Sequence, residues 1–221
     1  MRTFDEIFEI AADRKGGANA LQALIEPPKS AAALKKIADD RWLADATKRI
    51  FQAGFNWKVV ESMWPGFEEA FEGFDLGKCA MLNDEDFDRL VSDTRIVRYG
   101  AKIRSVQENA QFMIDLRKEH GTAAAAFADW PSTDFISLLE MMKKRGSRLG
   151  GNTGTYFLRM MGRDSFILSQ DVTARLIAEG VIDKSATSKK ALSQVQDAFN
   201  NWMEQSGKSL TEISRVLAMS V

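Results

Sequence analysis

Hydrophobic side chains recur along most of the chain at the three- and four-residue spacing of amphipathic helices, and strict apolar/polar alternation is absent. The clearest stripe contains Val106, Ala110 and Met113, which predicts a long central helix over about 101–119. With no strand pattern to compete, we expect an all-α fold, arranged as one two-lobed helical domain over 1–221.

Capping residues and chain breakers place the ends of further helices. Thr3 with Glu6, and Ser209 with Glu212, have the spacing of capping boxes, in which each side chain bonds the other's backbone N–H. They predict a first helix and a last helix over 210–219. Other predicted helix starts lie near Ser30, Asn83, Ser132, Gln170 and Ser188.

Two further helices are predicted in the first half of the chain. Asp39 or Asp40 is predicted to cap a helix that stops at Gly54. Asn56 is predicted to cap the next helix, which Pro65 should end because proline removes a backbone donor and clashes with the preceding turn.

The stretch 140–163, EMMKKRGSRLGGNTGTYFLRMMGR, is typical of a helix-hairpin-helix over about 133–161. Its glycines allow positive φ, and the following helix, expected near Thr155, presents unpaired N–H groups at a partly positive end. Beside Lys and Arg, that end suits a nucleic-acid phosphate. A turn that merely joins two packed helices is the alternative. The residues predicted to contact a DNA backbone are Gly150, Gly151, Asn152, Thr153, Gly154, Arg148 and Lys102.

Composition excludes several classes of protein. One cysteine and one histidine cannot form an intramolecular disulfide or a Cys/His zinc cluster, so neither a metal nor a cofactor is expected. The first residues are acidic and amphipathic, unlike a secretory signal, and no apolar run is long enough to span a membrane. We therefore expect a cytoplasmic monomer without a membrane partner, associated with the bacterial nucleoid through its function.

Charge is unevenly distributed although the net charge is only −1. Residues 1–94 carry 12 Lys/Arg and 18 Asp/Glu, whereas 95–221 carry 18 and 13. The hairpin lies in the basic part, where phosphate neutralisation and counterion release favour DNA binding. A solvated face with paired charges explains the same distribution.

Two further segments accompany the hairpin: FQAGFNW at 51–57 and TRIVRYGAKIRSVQEN at 94–109. In this order, the three resemble the 3-methyladenine-DNA glycosylase I family, which carries Gln-Ala-Gly-x-x-Trp, then Ile-x-Arg-x-x-x-Lys-Ile, then a Lys-Lys-Arg-Gly entry to its hairpin. Each motif is short, so the specificity lies in the ordered set. The resemblance covers about residues 48–163.

The resemblance implies a base pocket, set in the cleft between the lobes, for a nucleotide flipped out of double-stranded DNA. Trp57 matches the family's pocket tryptophan, and Gln52 matches a glutamine whose amide suits a base edge or the pocket backbone. Aromatic faces suit an alkylated base that carries positive charge. A role in core packing is equally open for Trp57. The full predicted base-binding set is Trp57, Gln52, Phe51, Asn56 and Trp42.

The chain also departs from the family. Arg49 stands where the family has a pocket Glu, and a cation there cannot stabilise a cationic sugar or base. The family's pocket tyrosines and its Cys/His zinc site have no match. We expect the catalytic carboxylate to be Asp171 first, a short way after the hairpin, and Asp45 second, although Asp171 also suits a first helical turn.

Three functions remain open at this stage. The first is a monofunctional glycosylase that hydrolyses the bond to an alkylated purine; no Schiff base is expected because the hairpin carries Asn152, Thr153 and Thr155 rather than lysine. The second is an altered relative that binds damaged or branched DNA without excision. The third is a helical protein-interaction module.

Overall fold

The computed structural model describes all residues from Met1 to Val221 and is entirely helical, which confirms the predicted all-α fold. No helix has the length and apolar character needed to cross a membrane. The α-helices are α1 (Phe4–Lys15), α2 (Ala18–Ala23), α3 (Ala31–Lys35), α4 (Asp39–Gln52), α5 (Trp57–Ala70), α6 (Leu76–Ala80), α7 (Asp84–Ser92), α8 (Gly100–His120), α9 (Ala123–Asp129), α10 (Phe135–Arg145), α11 (Asn152–Met161), α12 (Gln170–Ala178), α13 (Lys189–Ser206) and α14 (Leu210–Met219). Two 3₁₀ helices span Glu72–Phe74 and Ser132–Asp134.

Most predicted helix starts are confirmed by the side chains that cap them. Both predicted capping boxes are formed, at Thr3 with Glu6 and at Ser209 with Glu212. Ser30, Ser169 and Ser188 each accept a hydrogen bond from the first turn of the helix that follows. Asn83 also caps α7, in a box with Asp86. These local signals act within one turn, which is why the sequence alone reveals them.

Two predicted helix boundaries are wrong. Asp39 does not cap α4 but lies inside it, where its carboxylate accepts hydrogen bonds from Ala124 N (3.1 Å) and Arg117 Nε (2.9 Å). Pro65 lies inside α5 and does not end it. Phe67, two residues later, is fully buried against Phe51, with ring centroids 4.7 Å apart. Packing of Phe67 beyond the proline therefore helps to maintain the helix despite the lost bond.

Three short helices, α2, α6 and α9, were not predicted. Each has at most seven residues, too few to show a helical hydrophobic period. In α9, Ala123, Ala124 and Ala126 are buried, and alanine carries little periodic signal. Tertiary packing therefore fixes these elements more than their own sequence does.

The chain forms two compact units, each assembled from separate segments. Unit 1 contains Met1–Lys29, Trp130–Ser137 and Gly162–Val221, and unit 2 contains Ser30–Asp129 and Leu138–Met161.

Unit 1 is built on a row of aromatic side chains. Phe166 stacks on Phe199 at 4.4 Å between ring centroids, and Phe135 meets Phe166 edge-on at 4.9 Å. The carboxylate of Asp164 accepts hydrogen bonds from Leu210 N and Thr211 N, so it helps to begin α14. The contact of Phe135 with Phe166 holds the segment Trp130–Ser137 against Gly162–Val221.

Unit 2 has two aromatic clusters along α4. On one side Trp42 is fully buried, stacked on Phe127 at 4.9 Å and edge-on to Phe157 at 5.7 Å. On the other side Phe51 packs against Phe67. Helix α4 thus forms the centre of unit 2, and its C-terminal end, together with the turn to α5, lies next to the predicted site residues.

Candidate functional site

The predicted hairpin is present between α10 and α11, and α11 begins at Asn152, three residues before the predicted start. Arg148 and Gly151 both have φ of 58°, a left-handed conformation that is uncommon for a non-glycine residue. Buried Asn109 of α8 holds the turn on both sides: it accepts from Ser147 N at 2.8 Å and donates to Ser147 O at 2.9 Å. The hairpin is therefore a defined structure anchored to the central helix.

The hairpin glycines have different roles. A Cβ on Gly154 would lie 2.3 Å from Leu149 O, so Gly154 allows α11 to pack against the turn. A Cβ on Gly151 would meet nothing within 4 Å, and Gly151 and Asn152 are exposed. The first-turn N–H groups of α11 have no acceptor within the helix. Of the predicted backbone contacts, Gly151 and Asn152 are thus open to a ligand, whereas Gly154 is buried.

A pocket of about 370 Å³ lies beside the hairpin within unit 2. Its lining consists of Ile50, Ala53, Lys102, Arg148, Gly150 and Thr153. Two of its walls are therefore cationic and the others are apolar or small, which suits an acceptor-rich or anionic group. Four of the seven residues predicted to contact a DNA backbone lie on this one surface.

Lys102 is buried, and its ammonium has protein partners. Nζ donates to Ala53 O at 2.6 Å and to Phe51 O at 3.3 Å, and it lies 4.5 Å from the centre of the Phe55 ring. Burial lowers the pKa of Lys102, and the nearby Arg148 cation lowers it further. Arg148 itself donates to Ala101 O at 3.2 Å. Both cations thus hold backbone as well as facing the pocket.

Trp57 is exposed, so the alternative of a core aromatic does not hold for it. Its exposed fraction is 44%, at the first residue of α5 after the Asn56 cap. The ring makes an edge contact with Tyr156 of α11, with centroids 5.6 Å apart and planes at 86°. A large part of the ring is therefore available on the same unit as the hairpin.

The other predicted base-binding residues have local or core partners. Trp42 and Phe51 are fully buried within unit 2, so neither ring has a face open to a base. Asn56 uses its side-chain oxygen to accept from Lys58 N at 2.9 Å. The resemblance identified the segment, but core packing occupies these two rings and a cap occupies the asparagine.

Gln52 is the centre of a charged network. Its Oε1 accepts from Arg49 Nη1 at 2.7 Å, and its Nε2 donates to Glu61 Oε1 at 3.3 Å. Arg49 also pairs with Asp45, with 2.8 Å between Nη2 and Oδ1. The Gln52 amide is therefore held at both ends by side chains, which fixes its orientation beside the α4–α5 turn.

The two predicted catalytic carboxylates lie in different units. Asp45 is in unit 2, where burial raises its pKa even though Arg49 donates to it. Asp171 is in unit 1, exposed in the first turn of α12, and Ser169 is the residue that caps that helix. The predicted role of Asp171 therefore still rests on its position in the sequence after the hairpin.

Sequence reasoning missed Glu61 altogether. It lies one helical turn after Trp57 on α5 and reaches the network around Gln52. The signal was present in the sequence, because residues four apart share a helix face.

Comparison with known proteins finds a matching family and similar proteins. The family profile for methyladenine glycosylases matches residues 39–137. The DNA-3-methyladenine glycosylase 1 of Escherichia coli (strain K12) is 28% identical over 130 residues, which covers 50% of this chain and 70% of that protein.

Two solved structures are similar in fold. A 3-methyladenine DNA glycosylase I is similar with a TM-score of 0.50 and 21% identity, over 66% of this chain and 87% of that one. The 8-oxoguanine glycosylase/lyase of Methanocaldococcus jannaschii, solved with a 15mer DNA containing 8-oxoguanine, gives a TM-score of 0.54 at 13% identity and covers 96% and 95%. At these identities the likeness concerns the fold alone.

Proposed function

We infer that this chain is a divergent member of the 3-methyladenine-DNA glycosylase I family and a DNA repair glycosylase. Its proposed substrate is double-stranded DNA that contains an alkylated purine such as 3-methyladenine. It hydrolyses the N-glycosidic bond, so it is a hydrolase, and we propose that it acts as a monomer without a cofactor.

One observation carries this proposal furthest: Trp57, an exposed ring at the α4–α5 turn, meets Tyr156 of the hairpin's second helix. A glycosylase must hold the DNA backbone and stack an extruded base at the same time. In unit 2, the ring suited to stacking is in direct contact with the helix whose first turn is suited to a phosphate. The two parts are therefore fixed relative to each other.

The chemistry needs little acid catalysis from the protein. An N-alkylated purine carries positive charge, and its departure with the electron pair of the N-glycosidic bond leaves a neutral base. The deoxyribose becomes oxocarbenium-like at C1′, and water adds there and gives up a proton. A nearby carboxylate stabilises this cation and accepts that proton.

Release of base from methylated DNA tests the proposal directly. We expect free 3-methyladenine to appear in proportion to enzyme under single-turnover conditions, with slower release of the neutral base hypoxanthine. Absence of both free bases, from protein that still binds the same DNA, would support a binding protein instead.

A second function, damage binding without excision, is favoured by one specific observation. Arg49 occupies the position of the family's pocket Glu and is neutralised by Asp45 rather than by substrate. The salt dependence of DNA affinity separates this alternative from a protein-interaction module, because only phosphate contacts give a steep slope.

A further inference from the structure

Trp57 and Glu61 are both exposed on α5, four residues apart, so they share one face of the helix. The side chain of Glu61 is 52% exposed. A base stacked on the exposed part of the Trp57 ring would therefore have a carboxylate within one helical turn.

Glu61 is held in place by α4. Its Oε1 accepts from Gln52 Nε2 at 3.3 Å, and its Oε2 accepts from Lys48 Nζ at 2.9 Å. Each carboxylate oxygen accepts two hydrogen bonds, so both oxygens keep capacity for a ligand. The carboxylate is thus oriented by the protein without being consumed by it.

The charges around Glu61 keep it ionised. A hydrogen bond from Lys48 is the largest cause that lowers the pKa of Glu61, and the Arg49 cation adds to it. In contrast, burial raises the pKa of the neighbouring Asp45, both of whose oxygens accept from Arg49. Of the two acids near Gln52, Glu61 is the accessible anion.

We propose that Glu61 is the carboxylate that recognises a cationic N-alkylated base stacked on Trp57, in place of the acid that Arg49 has replaced. The proposal rests on the proposed function, whose pocket and substrate class it specifies. In this proposal the recognising carboxylate comes from α5, and Lys48 and Gln52 of α4 hold it in position.

The competing interpretation is a surface ion pair between Glu61 and Lys48, which contributes little by itself. The two interpretations predict different effects when Lys48 or Glu61 is substituted. If the pair is merely structural, Lys48→Met and Glu61→Gln have the same effect. If Glu61 recognises the base, loss of its carboxylate has a larger effect than loss of the Lys48 ammonium that orients it.

Single-turnover excision of 3-methyladenine by Glu61→Gln, Lys48→Met and Glu69→Gln tests the proposal. Glu69 is a matched control, because it is an exposed α5 carboxylate paired with Arg95 at 2.7 Å. Loss of one charge-assisted contact should slow Glu61→Gln by about 10- to 100-fold. Glu69→Gln should stay within about threefold of the wild type. Lys48→Met removes a donor that orients Glu61 but keeps the carboxylate, so it should slow excision less than Glu61→Gln does. Equal rates for wild type and Glu61→Gln would overturn the proposal.

A binding measurement separates this proposal from the proposed function. The probe is 7-methylguanosine, a cationic N-alkylated purine nucleoside, titrated by calorimetry against the intact chain. Binding by wild type that weakens about tenfold in Glu61→Gln supports base recognition even if no excision occurs, in which case only the proposed function fails. Equal affinity in both proteins, or no binding by either, would contradict the role of Glu61.

Discussion

The ammonium of Lys102 donates a hydrogen bond to the backbone carbonyl of Ala53 at 2.6 Å, so a residue of α8 holds the turn that leads from α4 to Trp57. The same ammonium reaches Phe51 O and lies over the Phe55 ring. This contact gives a physical reason why the segment around Lys102 accompanies FQAGFNW in the sequence: one segment fixes the other.

We predict that Lys102→Met destabilises the protein by about 1–3 kcal/mol, because the carbonyls at the end of α4 lose their donor. Chemical denaturation measures this change. Lys118→Met is the control, since Lys118 lies on the same helix with a 69% exposed side chain paired to Asp115; it should change the free energy of unfolding by less than about 0.5 kcal/mol.

The same variant tests whether Lys102 also contacts phosphate, as its sequence position suggested. A phosphate contact would reduce the slope of log affinity against log salt by about 0.9. An unchanged slope in a folded Lys102→Met protein would restrict Lys102 to holding the turn. An unchanged free energy of unfolding in Lys102→Met would contradict the predicted destabilisation.

The hairpin offers a closely matched pair of variants at Gly151, where φ is 58° and no atom lies near a Cβ. Asn and Asp both tolerate this left-handed conformation and have nearly the same shape. We expect Gly151→Asp to weaken binding to undamaged DNA at least about tenfold through repulsion of phosphate, and Gly151→Asn to weaken it far less. Equal affinity of the two variants at matched salt would show that the hairpin does not contact DNA.

Substitutions of the two hairpin glycines should differ in their effect on the stability of the protein. Gly154→Ala places a methyl group 2.3 Å from Leu149 O, so we expect it to lose more stability than Gly151→Asn. A thermal melt of both variants shows whether any loss of DNA binding by Gly154→Ala reflects a displaced α11 rather than a lost contact.

Helix caps and the hairpin could be predicted from the sequence because their determinants lie within a few residues. Thr3, Asn83 and Ser209 cap helices with groups one turn away. The interior position of Pro65 could not be predicted, because burial of Phe67 against Phe51, a residue of another helix, decides it.

For the site residues too, local motifs could be predicted from the sequence, whereas the exposure of each side chain depends on tertiary contacts. Trp57 was located by its motif, but its exposure depends on the cap at Asn56 and on the contact with Tyr156. The burial of Trp42 depends on Phe127, which lies far away in the sequence. Motifs therefore located the segment, whereas tertiary contacts decided which of its side chains remain free.

We predict that Trp57→Ala slows excision of an alkylated base by about 5- to 100-fold, the range expected for loss of one base–aromatic stacking contact. Because the ring is 44% exposed, stability and binding to undamaged DNA should change little. Trp57→Phe keeps a ring and should retain most of the activity. Undiminished excision by Trp57→Ala would remove Trp57 from the base site.

Asp45 should make stability depend on pH in a defined direction. Burial raises its pKa in the folded state above the ordinary value of 3.8, so the folded protein binds this proton more tightly than the unfolded chain. The contribution of Asp45 to the free energy of unfolding is therefore larger below pH 3.8 and decreases as pH rises through the folded pKa. The free energy of unfolding of wild type minus that of Asp45→Asn, measured across this range, should decrease with rising pH. An increase of this difference with pH would contradict the raised pKa.

The last prediction concerns the carboxylate that stabilises the cationic sugar. Asp171 was the first candidate from the sequence, and it lies in the first turn of α12, where an acid also stabilises the helix end. We expect Asp171→Asn to slow excision of 3-methyladenine by about 100-fold if the carboxylate acts on the sugar. Excision of a neutral lesion such as hypoxanthine should slow more, because the departure of that base depends more on the protein.

Asp5→Asn is the matched control, since Asp5 is an exposed acid in the first turn of α1. Loss of helix-end stabilisation alone would affect both variants equally in a melt and leave excision unchanged. Full activity of both Asp171→Asn and Asp45→Asn would exclude both acids predicted from the sequence and leave Glu61 as the carboxylate at the site.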